Sequence, residues 1–486
     1  MVRSIGLRNS PRRANHRARK CFFRSHDPSH RVLCTSLAVL VVALTLSAAT
    51  PPASAQTIEE RILSLDVSDI GVEKDLVRDA VVRVNNNDTA GALELLKSAR
   101  KKNPAIAPAH ILLARLLLMR GQVPQARGSL EQAVKEDPSD PDPYLMFGQL
   151  ANNASRVTDA EQLFEKTAAL AKSFSGSAKR KRRFLIGAYN GLASIAERRE
   201  HWALAEQHLR RLIVVDPDTG RFHRRLGIAL FRQGPAKAKD AYASLKAARA
   251  ADASLRSAEV IMSELYSSKD DDENAQKWIN YALEKNPDDT STRLAVVWRL
   301  LETGKAEQAK TQADAAYQAE KTSLEAKVLR GIAARMIGSY ENAELWLLSA
   351  HRQAPTDFAA TNHLVHVLLA QDDKTKRDLA LQYAILNARM HPYQANRPTA
   401  NGIESTATLG WVYYQLNQTK KAAQLLNTVL GRIAASPDGS YYASRILVDR
   451  RQMKEATRVL ERALTTKRLF VERQAAEKLL AQIKSG

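Results

Sequence analysis

Few residue patterns in this 486-residue chain are suited to covalent chemistry. His363 and His366 stand three apart, a spacing that places two imidazoles on one helix face where a metal ion would bridge them. No carboxylate or third histidine shares that spacing, so ordinary helix histidines and no metal site are expected. The run Lys179, Arg180, Lys181, Arg182, Arg183 is the densest charge cluster outside the N-terminus. It has the chemistry of an anion patch for phosphate or an acidic glycan. Phe174 and Phe184 beside it are too few for a base-stacking platform, so nucleic acid is not an expected partner. GxSxG, P-loop, GxGxxG and HExxH patterns are all absent, and no catalytic residue or cofactor is assigned.

Charge and cysteine use narrow the classes further. Of a net charge of +21, the first 55 residues carry nine Lys/Arg and one Asp, which leaves +13 on residues 56–486. A basic body suits nucleic acid, anionic lipid, or an acidic protein or glycan, and the charge alone does not choose among them. Both cysteines, Cys21 and Cys34, lie in the same leader. If it is removed, disulfides, a thiol nucleophile and a zinc–thiolate site are excluded. The leader has an Arg-rich region to residue 31, an apolar run Val32–Ala49 and the small residues Ala53-Ser54-Ala55. Residues 1–55 therefore read as a signal peptide cleaved after Ala55, with an uncleaved membrane anchor as the alternative. Export to the periplasm or the exterior follows from either form.

The elements that must position any site come from a repeat. Leu324–Pro355 carries small residues at Gly331, Ala343 and Ala350, a bulky Leu347 and a closing Pro355, with Gly338-Ser339 between two apolar stripes of helical period. It reads as two short helices joined by a tight turn, and a pair of that size needs copies of itself on either side to bury its stripes. The copies follow with a period near 34: Ala80, Ala92, Leu96, Ala99, Pro104; Ala114, Ala126, Leu130, Ala133, Pro138; Gly148, Ala160, Phe164; Ala193, Ala205, Leu209; Ser263, Ala275, Ile279. Val297, Ala309, Ala313 follow, then Gly410, Ala422, Leu426 and finally Ser444, Ala456, Leu460. Small residues are required where two helices cross closely, and bulky neighbours fill the spaces between crossings.

This spacing resembles the tetratricopeptide repeat (TPR) family over nearly all of the chain after the leader. The resemblance implies an all-α protein, a right-handed solenoid of about ten to eleven helix–turn–helix repeats. A lead-in segment is expected at 56–72, the array at 73–468 with insertions near 171–183 and 393–402, and a capping helix at 469–486. The 172–183 stretch is expected to be dispensable for folding. The resemblance also implies that the first helix of each repeat lines a concave groove that binds a protein or peptide. The matching positions are Arg115, Gln149, Asn152, Asn153, Asn190, Arg224, Glu264, Trp298, His366, Trp411 and Tyr414. Leu145, Gln149 and Gly191 stand where the family's carboxylate-clamp subclass has other residues, so that clamp is not expected. The expected role is an exported scaffold. Alternatives are a periplasmic component of a polysaccharide synthesis or export machine, and the recruiting subunit of an enzyme complex.

Overall fold

The computed structural model describes residues 57–68, 71 and 73–485, and the leader, with its signal-peptide reading, lies outside them. All the regular structure among the described residues is helical. A short α1 (Ile58–Leu63) opens the chain, with Thr57 and Glu60 forming a reciprocal capping box. Eleven pairs follow: α2 (Glu73–Asn85) with α3 (Thr89–Lys102), α4 (Ala109–Met119) with α5 (Val123–Glu136), α6 (Pro141–Asn153) with α7 (Val157–Ser173), and α8 (Ala178–Arg198) with α9 (Trp202–Val215). Then come α10 (Gly220–Arg232) with α11 (Ala238–Ala251), α12 (Ala258–Ser267) with α13 (Asp272–Lys285), and α14 (Thr290–Glu302) with α15 (Ala306–Ala319). The last four are α16 (Leu324–Met336) with α17 (Tyr340–Gln353), α18 (Phe358–Leu369) with α19 (Lys374–Met390), α20 (Ala400–Gln415) with α21 (Thr419–Val429), and α22 (Pro437–Asp449) with α23 (Met453–Leu464). The capping helix is α24 (Arg473–Ser485).

The spacing read from the sequence is visible at the crossings. A Cβ on Gly331 would collide with Leu347, one on Gly148 would come within 2.7 Å of Phe164, and one on Gly410 within 3.1 Å of Leu426. In each case the bulky residue of the second helix, sixteen positions on, fills the notch left by a glycine of the first. Ala80, Ala92, Leu96, Ala114, Ala126, Leu130, Ala193, Ala205 and Leu209 are buried in the same roles. At Val297 and Ala313 the sizes are exchanged, and both are fully buried, so the crossing is filled from the other side.

Ten of the eleven turns within a pair place one residue at positive φ: Gly121, Gly234, Gly304 and Gly338, but also Asn87, Ser155, Glu200, Asp270, Asn417 and Arg451. The eleventh, between α18 and α19, is the turn that carries Gln371 to Asp373. A side chain in the left-handed region crowds the following carbonyl, and Gly does not. Glu200→Gly and Arg451→Gly should therefore each stabilise the array by about 0.5–1 kcal/mol. A thermal melt checks this, and an unchanged or lowered midpoint would count against the turn geometry.

First helices of successive pairs touch one another, as in α6–α8, α14–α16, α16–α18 and α20–α22, whereas second helices of successive pairs make no comparable contact. The stack therefore bends with the first helices inside. One expectation is corrected here. The residues beyond the 34-residue period around 171–183 do not form a loop insertion. They lengthen α7 to 17 residues and α8 to 21, with only 174–177 between them, and Ala171, Arg180 and Phe184 are buried. Deleting 172–183 would remove packed helix. The break near 393–402 is the connection 391–399 between α19 and α20.

Candidate functional site

The concave face divides into three zones, each set by what lies across it. In the first, the lead-in segment after α1 tucks against α4, α6 and α8. Asp66 is fully buried and accepts from Arg115 at 2.8 and 3.0 Å. Arg115 also donates to Asp142 at 2.7 Å, Arg183 donates to Asp142 at 2.5 Å, and Arg180 donates to Asp140 at 2.8 Å. Three guanidiniums and three carboxylates thus share one largely dry cluster. Burial pushes the Asp142 carboxyl up, but Arg115 and Arg183 outweigh it and hold the group well below the usual carboxylate range. Phe174 and Phe184, edge to face at 5.1 Å, floor the cluster, with Arg180 and Arg183 over their rings.

This geometry corrects two readings. Arg115 is an interior ion-pair residue and not part of a groove surface. The basic run is not an open anion patch, because all five cations are engaged within the chain. Lys179 donates to the Val67 carbonyl at 2.9 Å and Lys181 to that of Lys172 at 2.9 Å, while Arg182 pairs with Asp216 at 2.9 Å.

The third zone, α16 to α22, is largely filled by the chain's own side chains, with a 280 Å³ pocket left against α24 beside Tyr340, His366 and Lys478. Arg335 is buried and donates to His363 Nδ1 at 2.9 Å, to the Tyr442 hydroxyl at 3.1 Å and to Glu472 at 2.5 Å. His366 bonds Thr408 at 3.2 Å and stacks on Tyr442 at 4.8 Å. Tyr442 stacks in turn on Trp411 at 4.9 Å, and Trp411 on Tyr414 at 5.2 Å. His366, predicted to face the groove, is interior. Trp411 and Tyr414 form a half-buried stack, and Tyr414 donates to Asp449. Burial, aided by the Arg335 charge, depresses His363 to about 3 and holds His366 well below the usual imidazole range, so both are neutral at pH 7. Among the described residues no group of three His, Cys, Asp or Glu is arranged to hold a metal ion.

Glu404 lies beside this network and accepts from Asn362 Nδ2 at 2.9 Å. Burial first, and Asp438 second, push its carboxyl up to about 8. A raised carboxyl costs no stability below its unfolded value near 4.5 and progressively more as pH rises toward 8. Each pKa unit corresponds to about 1.4 kcal/mol. Because the side chain keeps an edge to solvent, Glu404→Gln should gain about 2 kcal/mol over the parent between pH 5 and pH 8. Melts at the two pH values check this, and a gain that is the same at both would contradict it.

The middle zone, α8 to α14, is where the concave face stays open. Gln149 and Asn153 at its edge, then Arg224 and Glu264, are exposed. Asn152 and Asn190 are half-buried and accept from Arg198 and Arg225. Trp298 is half-buried, donates from Nε1 to Glu325 at 2.7 Å, and lines a 740 Å³ pocket with Arg256, Ser263, Glu264, Arg299 and Glu302. Arg299 donates to Ser267 and Asp272 while its buried Nε has no partner. Charged and hydroxyl side chains dominate its lining, Thr466–Arg468 close one side, and Val260, Ile279 and Ala295 give an apolar patch beside Trp298, chemistry suited to binding an extended chain.

Sequence reasoning missed Asp66, Asp142, Glu472 and the residues before α24. Their partners lie tens to hundreds of positions away, and no local pattern marks them. No helix among the described residues is long and apolar enough to cross a membrane.

Two family models, both described as tetratricopeptide repeat, match the sequence, one at residues 84–143 and one at 114–173, 190–256 and 295–358. No curated protein matches. Similar solved structures include a thermophilic TPR protein of Thermus thermophilus, 16% identical over 40% of this chain and 100% of that one, with a TM-score of 0.34. Yeast Tom70 is 13% identical over 85% of this chain and 96% of its own, with a TM-score of 0.35. PilW, described as a widely conserved type IV pilus biogenesis factor, is 18% identical over 47% of this chain and 98% of its own, also at 0.35. Scores this low bear on no function. The repeating helix pairs, the small-against-bulky crossings and the family-model matches make this chain a tetratricopeptide repeat protein.

Proposed function

We propose that this protein is an exported scaffold that holds a segment of a partner protein on the concave face of α8 to α14. TPR solenoids act as protein-interaction scaffolds. The observation that carries the finer reading is the contrast along the face. The first end is filled by the chain's own buried ion pairs and the last keeps only a 280 Å³ pocket, whereas the middle presents exposed Gln149, Asn153, Arg224 and Glu264 leading to the 740 Å³ Trp298 pocket. A preformed surface of that kind binds without the cost of ordering itself. The exposed Arg224 suits an acidic partner segment, and no catalytic role is assigned. The leader 1–55 supports export.

The test has two arms. Protein recovered from the native host should begin at Gln56, and a soluble cytoplasmic species beginning at Met1 would overturn export. Proteins that co-purify with the parent should be lost with Arg224→Glu and retained with Leu345→Ser, an exposed position on a second helix. Equal recovery from all three would remove the concave face from the account.

A further inference from the structure

The connection between α23 and α24, Thr465–Glu472, does not take the short path between its helices' ends. It runs across the array to α12, α14 and α16. Lys467 Nζ lies 2.9 Å from Asp270 and 3.1 Å from Asp272, the latter 195 positions away in sequence. Leu469 and Val471 pack on the cluster that holds Val260, Val296 and Val328. Phe470, between them, turns the other way and is buried with Leu460 and Leu479. Glu472 accepts from Arg335 at 2.5 Å, and its backbone N–H donates to Asp438 at 2.9 Å. Residues 466, 467, 469 and 470 lie outside any helix or turn, and alternate side chains face opposite ways, as in an extended peptide seated in a groove.

We infer that the first half of this linker, residues 465–469, is an internal occupant of a peptide-binding groove, and that the groove accepts from a partner an extended segment of the same pattern: a cation and, two residues on, an apolar side chain. The inference rests on the scaffold reading and adds the recognition chemistry. Asp270 and Asp272 read the cation and the apolar cluster beneath Leu469 reads the apolar side chain, while Val471 and Glu472 stay in place as part of the cap's anchor. The first half of the linker is the replaceable half. Lys467 and Arg468 are exposed, the ion pairs to Asp270 and Asp272 sit largely in solvent, and the 740 Å³ pocket remains between Thr466–Arg468 and the helices beneath. Phe470 belongs to the core under α24, so the cap stays anchored while residues 465–469 leave.

A tethered linker competes at an effective concentration on the order of millimolar, so a free peptide must overcome it. The test uses the full chain and a fluorescein-labelled peptide of sequence Thr465–Arg473. The parent should bind it weakly. A full-length variant with Lys467→Gly and Leu469→Gly should bind it at least roughly tenfold more tightly, because the intramolecular competitor is disabled. In that background a peptide with glutamate at the Lys467 position should lose most of the gain. Circular dichroism verifies the fold. If the double variant loses helix, Lys467→Glu alone, at an exposed site facing two aspartates, replaces it and should also bind the peptide more tightly than the parent. A folded variant that binds no better than the parent overturns the inference. Arg224 lies outside the linker's footprint, so loss of co-purifying proteins on Arg224→Glu would still stand as support for the scaffold reading.

Discussion

Asp142→Ala should lower stability by about 3–5 kcal/mol, the largest effect expected of any single change in the protein. It leaves two buried guanidiniums, Arg115 and Arg180, and the half-buried Arg183 with only Asp66 and Asp140 to balance them. Removing one partner from a buried ionic cluster exposes the desolvation cost of those that remain. The damage should be local, because each repeat touches mainly its neighbours. Hydrogen exchange should rise in α1, α4, α6 and α8 and stay near the parent's in α16 to α24. The pH dependence has a definite sign. Asp142 is held below its ordinary value near 3.8, so its contribution is present above that value and is lost as pH falls through the depressed one. The alanine variant should therefore differ most from the parent at neutral pH and least in strong acid. A melting temperature equal to the parent's at pH 7 would mean that the cluster does not form.

Trp411→Ala and Trp298→Ala should behave differently, although both tryptophans occupy the same place in the repeat. Trp411 is stacked between Tyr414 and Tyr442, and its removal opens a cavity in the largely filled third zone. A cost of about 3 kcal/mol is expected, at the low end for an aromatic truncation because the ring is only half-buried. Trp298 edges an existing pocket, so its loss should cost less than about 1.5 kcal/mol of stability while weakening partner binding by about 2 kcal/mol if the ring is an anchor. Paired melts check the first half of this statement without any knowledge of the partner. Equal drops in melting temperature would place both rings in the same structural role.

The contrast between these two residues shows what could be read before the structure was known. The repeat frame was legible because helix crossing is a local demand. Gly331 and Leu347 must be sixteen apart whatever the rest of the chain does, and Ala343 must be small for the same reason. The position of Trp298 and Trp411 on first helices was legible for that reason too. Which zone of the concave face stays open was not. That depends on Asp66 meeting Arg115, 49 positions on, and on Lys467 meeting Asp272 across most of the array, and neither pairing leaves a period in the sequence. The basic run at 179–183 shows the same limit. Its charge was evident, but charge density alone does not tell a surface patch from a helix start whose arginines are neutralised by aspartates of another repeat.

The most direct test of the central claim, that the middle of the concave face is the binding surface, is site-specific photo-crosslinking in the native host. A benzophenone amino acid placed at Arg224, and in a separate strain at Leu345, is irradiated and the protein is recovered under denaturing conditions. Both sites are exposed, the first on the inner helix α10 and the second on the outer helix α17. The account predicts a discrete covalent adduct of higher mass from position 224 and none from position 345. An adduct from 345 with none from 224 would contradict it.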